Sequence, residues 1–219
     1  MIELPDKKSS FEYENGFYLT CESSRIGKLL AHYELYKLVK NIKGSFVECG
    51  VYKGASLARF VMFRELFNQI KEREIIAFDT FDTFPETDFD GDLDMRKNFI
   101  NESGEESISK DQLQLVLEEK QCDVNVELIE GDICKTVPDY VRNHPELKIA
   151  LLNLDVDIYE PSVSVLKNFY PHIVEGGVLI LDDYGTFPGE TKAVDDFFEN
   201  QNVDIKKFSF SNTPRYIIK

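Results

Sequence analysis

Apolar residues near the start of the chain recur with the spacing of one helix face. Between residues 24 and 41 these positions are Ile26, Leu29, Leu30, Tyr33, Tyr36 and Val39. Side chains three or four positions apart lie on the same side of an α-helix. The pattern therefore predicts an amphipathic helix over residues 24 to 41.

A strand, a turn and a second helix are predicted next. Residues 45 to 52 read SFVECGVY, a short β-branched and aromatic run, and the letters KGAS follow. Apolar residues then return to helical spacing at Leu57, Phe60, Val61, Phe67 and Ile70. The same alternation predicts strands over residues 74 to 81, 124 to 131, 148 to 157 and 176 to 185, and helices over 109 to 120, 162 to 170 and 191 to 200.

Nearly continuous apolar strands that alternate with helices are typical of a parallel sheet covered on both faces. We therefore predict a doubly wound, Rossmann-like α/β fold. Residues 204 to 210 and 215 to 219 are short strand-like runs joined by a turn that contains Pro214. They predict a closing pair of strands, so that the mostly parallel sheet ends in an antiparallel C-terminal edge strand.

The chain has 219 residues, which suits a single domain over residues 1 to 219. Residues 1 to 42 are predicted to form an N-terminal lid and helix. The alternative for the aromatic residues between 11 and 25 is that they pack on the core. Residues 84 to 108 are rich in polar and small residues, and we predict a mobile loop or lid there. Its acidic residues lack the spacing of a calcium-binding loop and are expected to be solvated: Asp88, Asp90, Asp92 and Asp94.

Charge and composition exclude several classes of partner. The chain carries 25 basic and 40 acidic residues, a net charge of −15, and such a field repels nucleic acids and anionic membranes. No apolar run approaches the roughly 18 residues of a membrane-spanning helix, and the start lacks an apolar signal segment, so we expect a cytoplasmic protein. Four scattered cysteines without ligand spacing argue against a disulfide framework or a zinc site.

Ligands of an open α/β sheet bind at the carboxyl ends of its strands. The residues at those predicted ends are Glu48, Gly50, Asp79, Gly131, Asp132, Asp155, Asp157, Asp182 and Asp183. Gly50 and Gly54 permit a tight turn close to a ligand, and Asp79 is placed to accept hydrogen bonds from ribose hydroxyls. This favours a nucleoside-bearing cofactor. The alternative is a sterically required turn, with Asp79 as a simple cap.

Four of these carboxylates are predicted to converge. Asp155 and Asp157 lie two apart and point the same way in a strand, while Asp182 and Asp183 end the next strand. Carboxylates crowded together raise each other's pKa, and a divalent cation relieves the repulsion. A purely oxygen-based ligand set favours Mg²⁺, with Ca²⁺ or Mn²⁺ as alternatives, unless the acids are merely solvated strand ends.

Four segments in order complete a recognisable series: FVECGVYKG at 46 to 54, DTF at 79 to 81, LDVDIY at 154 to 159 and EGGVLILDDYG at 175 to 185. The series resembles the macrocin O-methyltransferase family over roughly residues 20 to 200. Members of that family use S-adenosylmethionine and a metal to methylate sugar hydroxyls. The resemblance implies a class I methyltransferase fold.

The resemblance also implies a role for each matched position. The cofactor residues that it implies are Glu48, Gly50 and Gly54 at the methionine end, Asp79 at the ribose, Asp132 at the adenine, and in addition Ser56 and Asp155. Mg²⁺ would be bound by Asp155, Asp182 and Asp183. Asp157 would act as the general base on the hydroxyl that is methylated.

The expected activity is methyl transfer to a hydroxyl of a deoxysugar, a nucleotide sugar or a glycosylated natural product. The alternatives are a catechol-type O-methyltransferase and a non-catalytic nucleotide-binding module, and we leave a homo-oligomer open. Asn153 departs from the family, in which a histidine is common at that position. Arg96 and Lys97 are candidates to bind an anionic acceptor. The alternative is that both are solvent-exposed surface residues without such a role.

Overall fold

The computed structural model describes residues 2 to 219 and contains one six-stranded sheet. Its strands are β1 Ser45–Cys49, β2 Ile75–Asp79, β3 Val126–Glu130, β4 Ile149–Leu154, β5 Ile173–Leu181 and β6 Arg215–Ile218. The order across the sheet is β3-β2-β1-β4-β5-β6. The first five strands are parallel and β6 is antiparallel to β5, which confirms the predicted α/β class.

Eight α-helices accompany the sheet in the described part of the chain. They are α1 Ser10–Thr20, α2 Ser23–Val39, α3 Ala55–Leu66, α4 Leu93–Ser103, α5 Lys110–Glu119, α6 Ile133–Asn143, α7 Tyr159–Phe169 and α8 Pro188–Phe198. One apolar core forms between the sheet and α2, α3 and α5, and a second forms against α6, α7 and α8. Because both faces are covered, β1, β2 and β4 are buried at every position and lack a polar alternation.

Several elements differ from the sequence prediction, among them α4, which lies inside the segment predicted as a loop. Residues 204 to 210 form no strand, and only an isolated antiparallel bridge joins Lys206 to Tyr216. The antiparallel edge is present nonetheless, because β6 pairs along four positions with the long strand β5. Helix α6 was not predicted, and Pro138 lies inside it, where proline usually disfavours a helix.

The N-terminal segment forms α1, none of whose residues is buried. The side chain of Phe11 is 73% exposed and that of Tyr18 is 58% exposed, so the alternative in which these aromatics pack on the core is wrong. The lid role of this segment stays a prediction. Among the residues that the structure describes, no helix combines the length and apolar character needed to cross a membrane.

Candidate active site

The turn after β1 is built around a glycine that no other residue can replace without strain. Gly50 has a φ of +92°, and a Cβ atom placed on it would lie 1.6 Å from the carbonyl oxygen of Asp155. The ends of β1 and β4 meet here, and the backbone N–H of Asp155 donates to the Cys49 carbonyl at 2.9 Å. The close approach brings the β1 turn beside the acidic end of β4.

Asp79, at the end of β2, organises the same turn. One carboxylate oxygen accepts hydrogen bonds from the backbone N–H groups of Val51 at 2.7 Å and Tyr52 at 3.0 Å. The other accepts from the N–H of Phe81 at 2.7 Å. The carboxylate thus fixes the conformation of two loops.

A cavity of about 320 Å³ opens at these strand ends. Four of the predicted cofactor residues line it: Gly50, Asp79, Asp132 and Asp155. Asp132 also caps α6 by accepting a hydrogen bond from the Cys134 N–H at 2.9 Å. The other three predicted cofactor residues, Glu48, Gly54 and Ser56, are not among the described residues of the cavity wall.

Glu48 lies inside the sheet, directly opposite Asn153 on β4. The Asn153 side-chain amide donates to Glu48 Oε1 at 3.0 Å, and Glu48 Oε2 has no partner among the described residues. Burial raises the pKa of Glu48 to about 7. Asn153, the residue that departs from the family, is therefore a neutral hydrogen-bond partner of the buried Glu48. The second carboxylate oxygen of Glu48 stays available to a donor group of a ligand.

Three acids form a compact group beside the cavity. Oxygen atoms of Asp155, Asp157 and Asp183 lie within 4.8 Å of one another. Burial, followed by the neighbouring carboxylates, raises the pKa of Asp155 and Asp157, and the same causes raise the pKa of Asp183 to about 6. Asp157 has a φ of +62°, an uncommon backbone conformation for a non-glycine residue. A cluster of this kind is suited to hold a divalent cation.

Asp182, predicted as a metal ligand, is placed differently in the structure. It is 1% exposed, its Oδ2 contacts the Lys28 ammonium, and its Oδ1 lies 3.4 Å from His32 Nε2. Burial alone would raise the pKa of Asp182, but Lys28 and His32 hold it below its usual range. The predicted metal ligands were Asp155, Asp182 and Asp183. The cluster in the structure consists of Asp155, Asp157 and Asp183 instead. Asp182 and Asp183 follow the last residue of β5 and have different neighbours.

Glu190 was not predicted and joins the two acidic loops. Its Oε1 accepts a hydrogen bond from the Asp183 N–H at 2.9 Å, and its own N–H donates to the Asp157 carbonyl at 3.0 Å. The side chain is fully buried, and Oε2 has no partner among the described residues. Glu190 lies in the first turn of α8, where the helix N-terminus favours an acid. It sets the spacing between the loops that carry Asp157 and Asp183.

The segment from 84 to 108 contains α4 and is tied to the rest of the molecule. Asp92, expected to be solvated, is fully buried and accepts hydrogen bonds from the N–H groups of Gly189 at 2.6 Å and Tyr159 at 3.0 Å. The expectation was wrong because backbone N–H groups at the N-termini of α7 and α8 donate to this carboxylate in place of water. Arg96 donates to the carbonyl of Pro85 at 2.7 Å. The mobility of the segment stays a prediction.

The raised pKa of Asp183 makes the stability of the metal-free protein pH-dependent. Because the folded protein binds this proton more tightly than the unfolded chain does, the favourable contribution is lost as the pH rises from the ordinary value of 3.8 through about 6. Asparagine at position 183 cannot titrate. Between pH 3.8 and about 6 we therefore expect the free energy of unfolding of Asp183→Asn to rise by roughly 2 kcal/mol relative to that of the wild type. Urea unfolding in EDTA measures this difference, and a gap that stays constant with pH would contradict it.

Residues 23–214 match the family model described as Macrocin-O-methyltransferase (TylF). The chain belongs to this family. Demethyldecarbamoylnovobiocin O-methyltransferase of Streptomyces niveus is 28% identical over 165 residues, which cover 72% of this chain and 59% of that protein. Mycinamicin III 3''-O-methyltransferase of Micromonospora griseorubida is 27% identical, with 74% of this chain and 63% of that protein covered. The chain therefore spans about three fifths of the length of these relatives.

Solved structures agree with the family. The calicheamicin methyltransferase CalS11 superposes with a TM-score of 0.80 at 26% identity, covering 97% of this chain and 86% of that one. The O-methyltransferase NovP superposes with a TM-score of 0.75 at 23% identity, covering 89% and 80% of the two chains. The class I methyltransferase fold predicted for this macrocin O-methyltransferase family member is thereby confirmed.

Proposed function

We propose that this chain transfers a methyl group from S-adenosylmethionine to a hydroxyl of a sugar-containing small molecule, with the help of Mg²⁺. One observation carries the proposal: a single cavity at the strand ends joins the Gly50 and Asp79 turn to the acids Asp155 and Asp157. A cofactor that approaches the turn is thus placed directly beside groups that activate a hydroxyl. One relative, from Streptomyces olivaceus, is named as a 4'-O-methyltransferase of a rhamnosyl-tetracenomycin, which supports the same conclusion.

The cofactor is assigned to the side of the cavity formed by the turn. Gly50 lets the backbone come close to the methionine end, where Gly54 and Ser56 begin the following helix. The unpartnered Glu48 Oε2 is an acceptor within the sheet edge for the amino group of the cofactor. Asp79 marks the ribose position, and Asp132, at the first turn of α6, marks the adenine position.

The acids fit a divalent metal on the chemistry of their donor set. Oxygen ligands without Cys or His suit Mg²⁺, and the structure already places a cation, the Lys28 ammonium, against Asp182. Asp155, Asp182 and Asp183 would hold the ion, while Asp157 receives the proton of the acceptor hydroxyl. When bound, the metal would lower the pKa of that hydroxyl. Glu190 keeps the Asp157 and Asp183 loops at a constant spacing.

Transfer of an isotopically labelled methyl group tests the proposed function. The enzyme is incubated with labelled S-adenosylmethionine and a panel of nucleotide sugars, deoxysugar glycosides and catechols, with Mg²⁺ or with EDTA. We expect label on a sugar hydroxyl that disappears in EDTA. Label on catechols alone would assign the chain to the catechol-type alternative, and transfer that is unaffected by EDTA would remove the metal from the mechanism. Cofactor binding without transfer to any acceptor would favour a binding module.

A further inference from the structure

Lys28 supplies a positive charge to the same carboxylates that are proposed to bind metal. The residue lies on α2, its side chain is 24% exposed, and its ammonium contacts Asp182 Oδ2. Burial acts to lower the pKa of Lys28, but attraction to Asp182, followed by Asp155 and Asp183, outweighs it and raises that pKa. In a chain of net charge −15, the acidic cluster thus has a cation of its own.

The position of Lys28 is fixed by the packing of α2. A Cβ on the neighbouring Gly27 would lie 2.9 Å from the Phe210 carbonyl oxygen, so glycine lets the helix approach that segment closely. One turn later on the same helix, His32 Nε2 lies 3.4 Å from Asp182, and Arg59 Nη1 lies 2.9 Å from His32 Nδ1. The pair of Lys28 and Asp182 is therefore part of a built contact between α2 and the end of β5.

A divalent ion at Asp182 and the Lys28 ammonium would compete for the same carboxylate. Asp182 is 1% exposed and its two oxygens already contact Lys28 and His32, so a metal that used Asp182 would bring a second cation against the charge of Lys28. The Lys28 side chain has a flexible four-carbon stem and retains partial exposure, which gives its ammonium a route to solvent. The two cations are alternative partners for one carboxylate.

We propose that Lys28 is the resident counter-ion of the carboxylate cluster and exchanges with the divalent metal at Asp182. In the metal-free protein Lys28 neutralises Asp182 and keeps the cluster compatible with burial. Metal entry releases Lys28 toward solvent and makes Asp182 a ligand. The inference rests on the metal requirement in the proposed function. It predicts that Lys28 lowers the affinity of the carboxylates for a divalent metal.

Titration with Mn²⁺, followed by electron paramagnetic resonance in the absence of acceptor, measures this competition. We expect Lys28→Met to bind Mn²⁺ about 10-fold more tightly than the wild type, because no internal cation has to be displaced. Lys28→Arg keeps a positive charge and should lie within about 3-fold of the wild type. The matched control is Lys37→Met, which removes a cation paired with the partly exposed Glu34 on the same helix and should change nothing.

Reductive methylation of the wild-type protein gives a second measurement that needs no variant. Mass spectrometry should show that labelling of Lys28 increases when Mg²⁺ is added, while labelling of Lys37 stays constant. This readout decides the inference even if Lys28→Met fails to fold. Lys28 labelling that does not respond to the metal would overturn the exchange.

The outcomes separate this inference from the proposed function. If the wild type binds Mn²⁺ and folded Lys28→Met binds it no more tightly, the exchange is wrong while the metal requirement stands. If neither protein binds Mn²⁺, the metal requirement fails and the exchange fails with it. Methyl transfer to the acceptor panel is scored independently, so a wild type that methylates sugars in EDTA identifies the metal requirement as the part that failed.

Discussion

The Asp157→Asn variant should lose about 10²- to 10⁴-fold in kcat, because the amide cannot accept the proton of the acceptor hydroxyl. The side chain lies with Asp155 and Asp183 beside the cavity, where burial and the neighbouring acids raise the pKa of Asp157. Asparagine has nearly the same shape, so the site should stay intact. Turnover is measured with the acceptor that the panel identifies, and S-adenosylmethionine affinity is measured by calorimetry and should stay within about 3-fold.

The control for this variant is Asp139→Asn, which changes an exposed acid paired with Arg142 on α6. It should have wild-type activity. Mn²⁺ affinity distinguishes two roles of Asp157, since a general base can be replaced without loss of metal, whereas loss of affinity in Asp157→Asn would make this residue a ligand. Full activity of Asp157→Asn would remove the residue from both roles.

The Gly50→Ala variant should be the most damaging single-methyl change in the chain. The added Cβ would lie 1.6 Å from the Asp155 carbonyl oxygen, and the φ of +92° is unfavourable for alanine. Neither problem can be relieved without separating the ends of β1 and β4. We expect a loss of about 4 kcal/mol or more in the free energy of unfolding, measured by urea denaturation, or a failure to obtain folded protein.

Gly16→Ala is the matched control, since it makes the same chemical change on the exposed helix α1. A Cβ at Gly16 meets nothing within 4 Å. Alanine in a helix is more favourable than glycine by about 0.5 to 1 kcal/mol, so this variant should be as stable as the wild type or slightly more so. If Gly50→Ala unfolded within about 1 kcal/mol of the wild type, the close approach of the two strand ends would be refuted.

The strands were the most predictable elements because their burial leaves a direct mark in the sequence. β1, β2 and β4 are buried at every position and mostly apolar, and each lies within the predicted range. The segment from 204 to 210 was also predicted as a strand, but only Lys206 forms a bridge to Tyr216 on β6, whose other edge is paired with β5. Whether a segment pairs along its length depends on the tertiary contacts around it, and local pattern alone cannot decide this.

The carboxylate positions at the strand ends were predictable, but their partners were not. Sequence order places Asp155, Asp157 and Asp183 near one sheet edge, and the structure brings them together. The partner of Asp182 is Lys28, 154 positions away on a helix before the first strand, and no local pattern links the two. The role of Glu190 was equally unpredictable, because it depends on which loops the first turn of α8 contacts in the folded chain.

Asp92 anchors the segment from 84 to 108 at its middle. Its carboxylate holds the first turns of α7 and α8, the helices that directly follow Asp157 and Asp183 in sequence. Residues 84 to 88, which form part of the cavity wall, precede this anchor, and Ser107 follows it. The two parts of the cavity wall that this segment supplies are therefore separated by a buried residue that is hydrogen-bonded to both helices, and we expect them to move independently of each other.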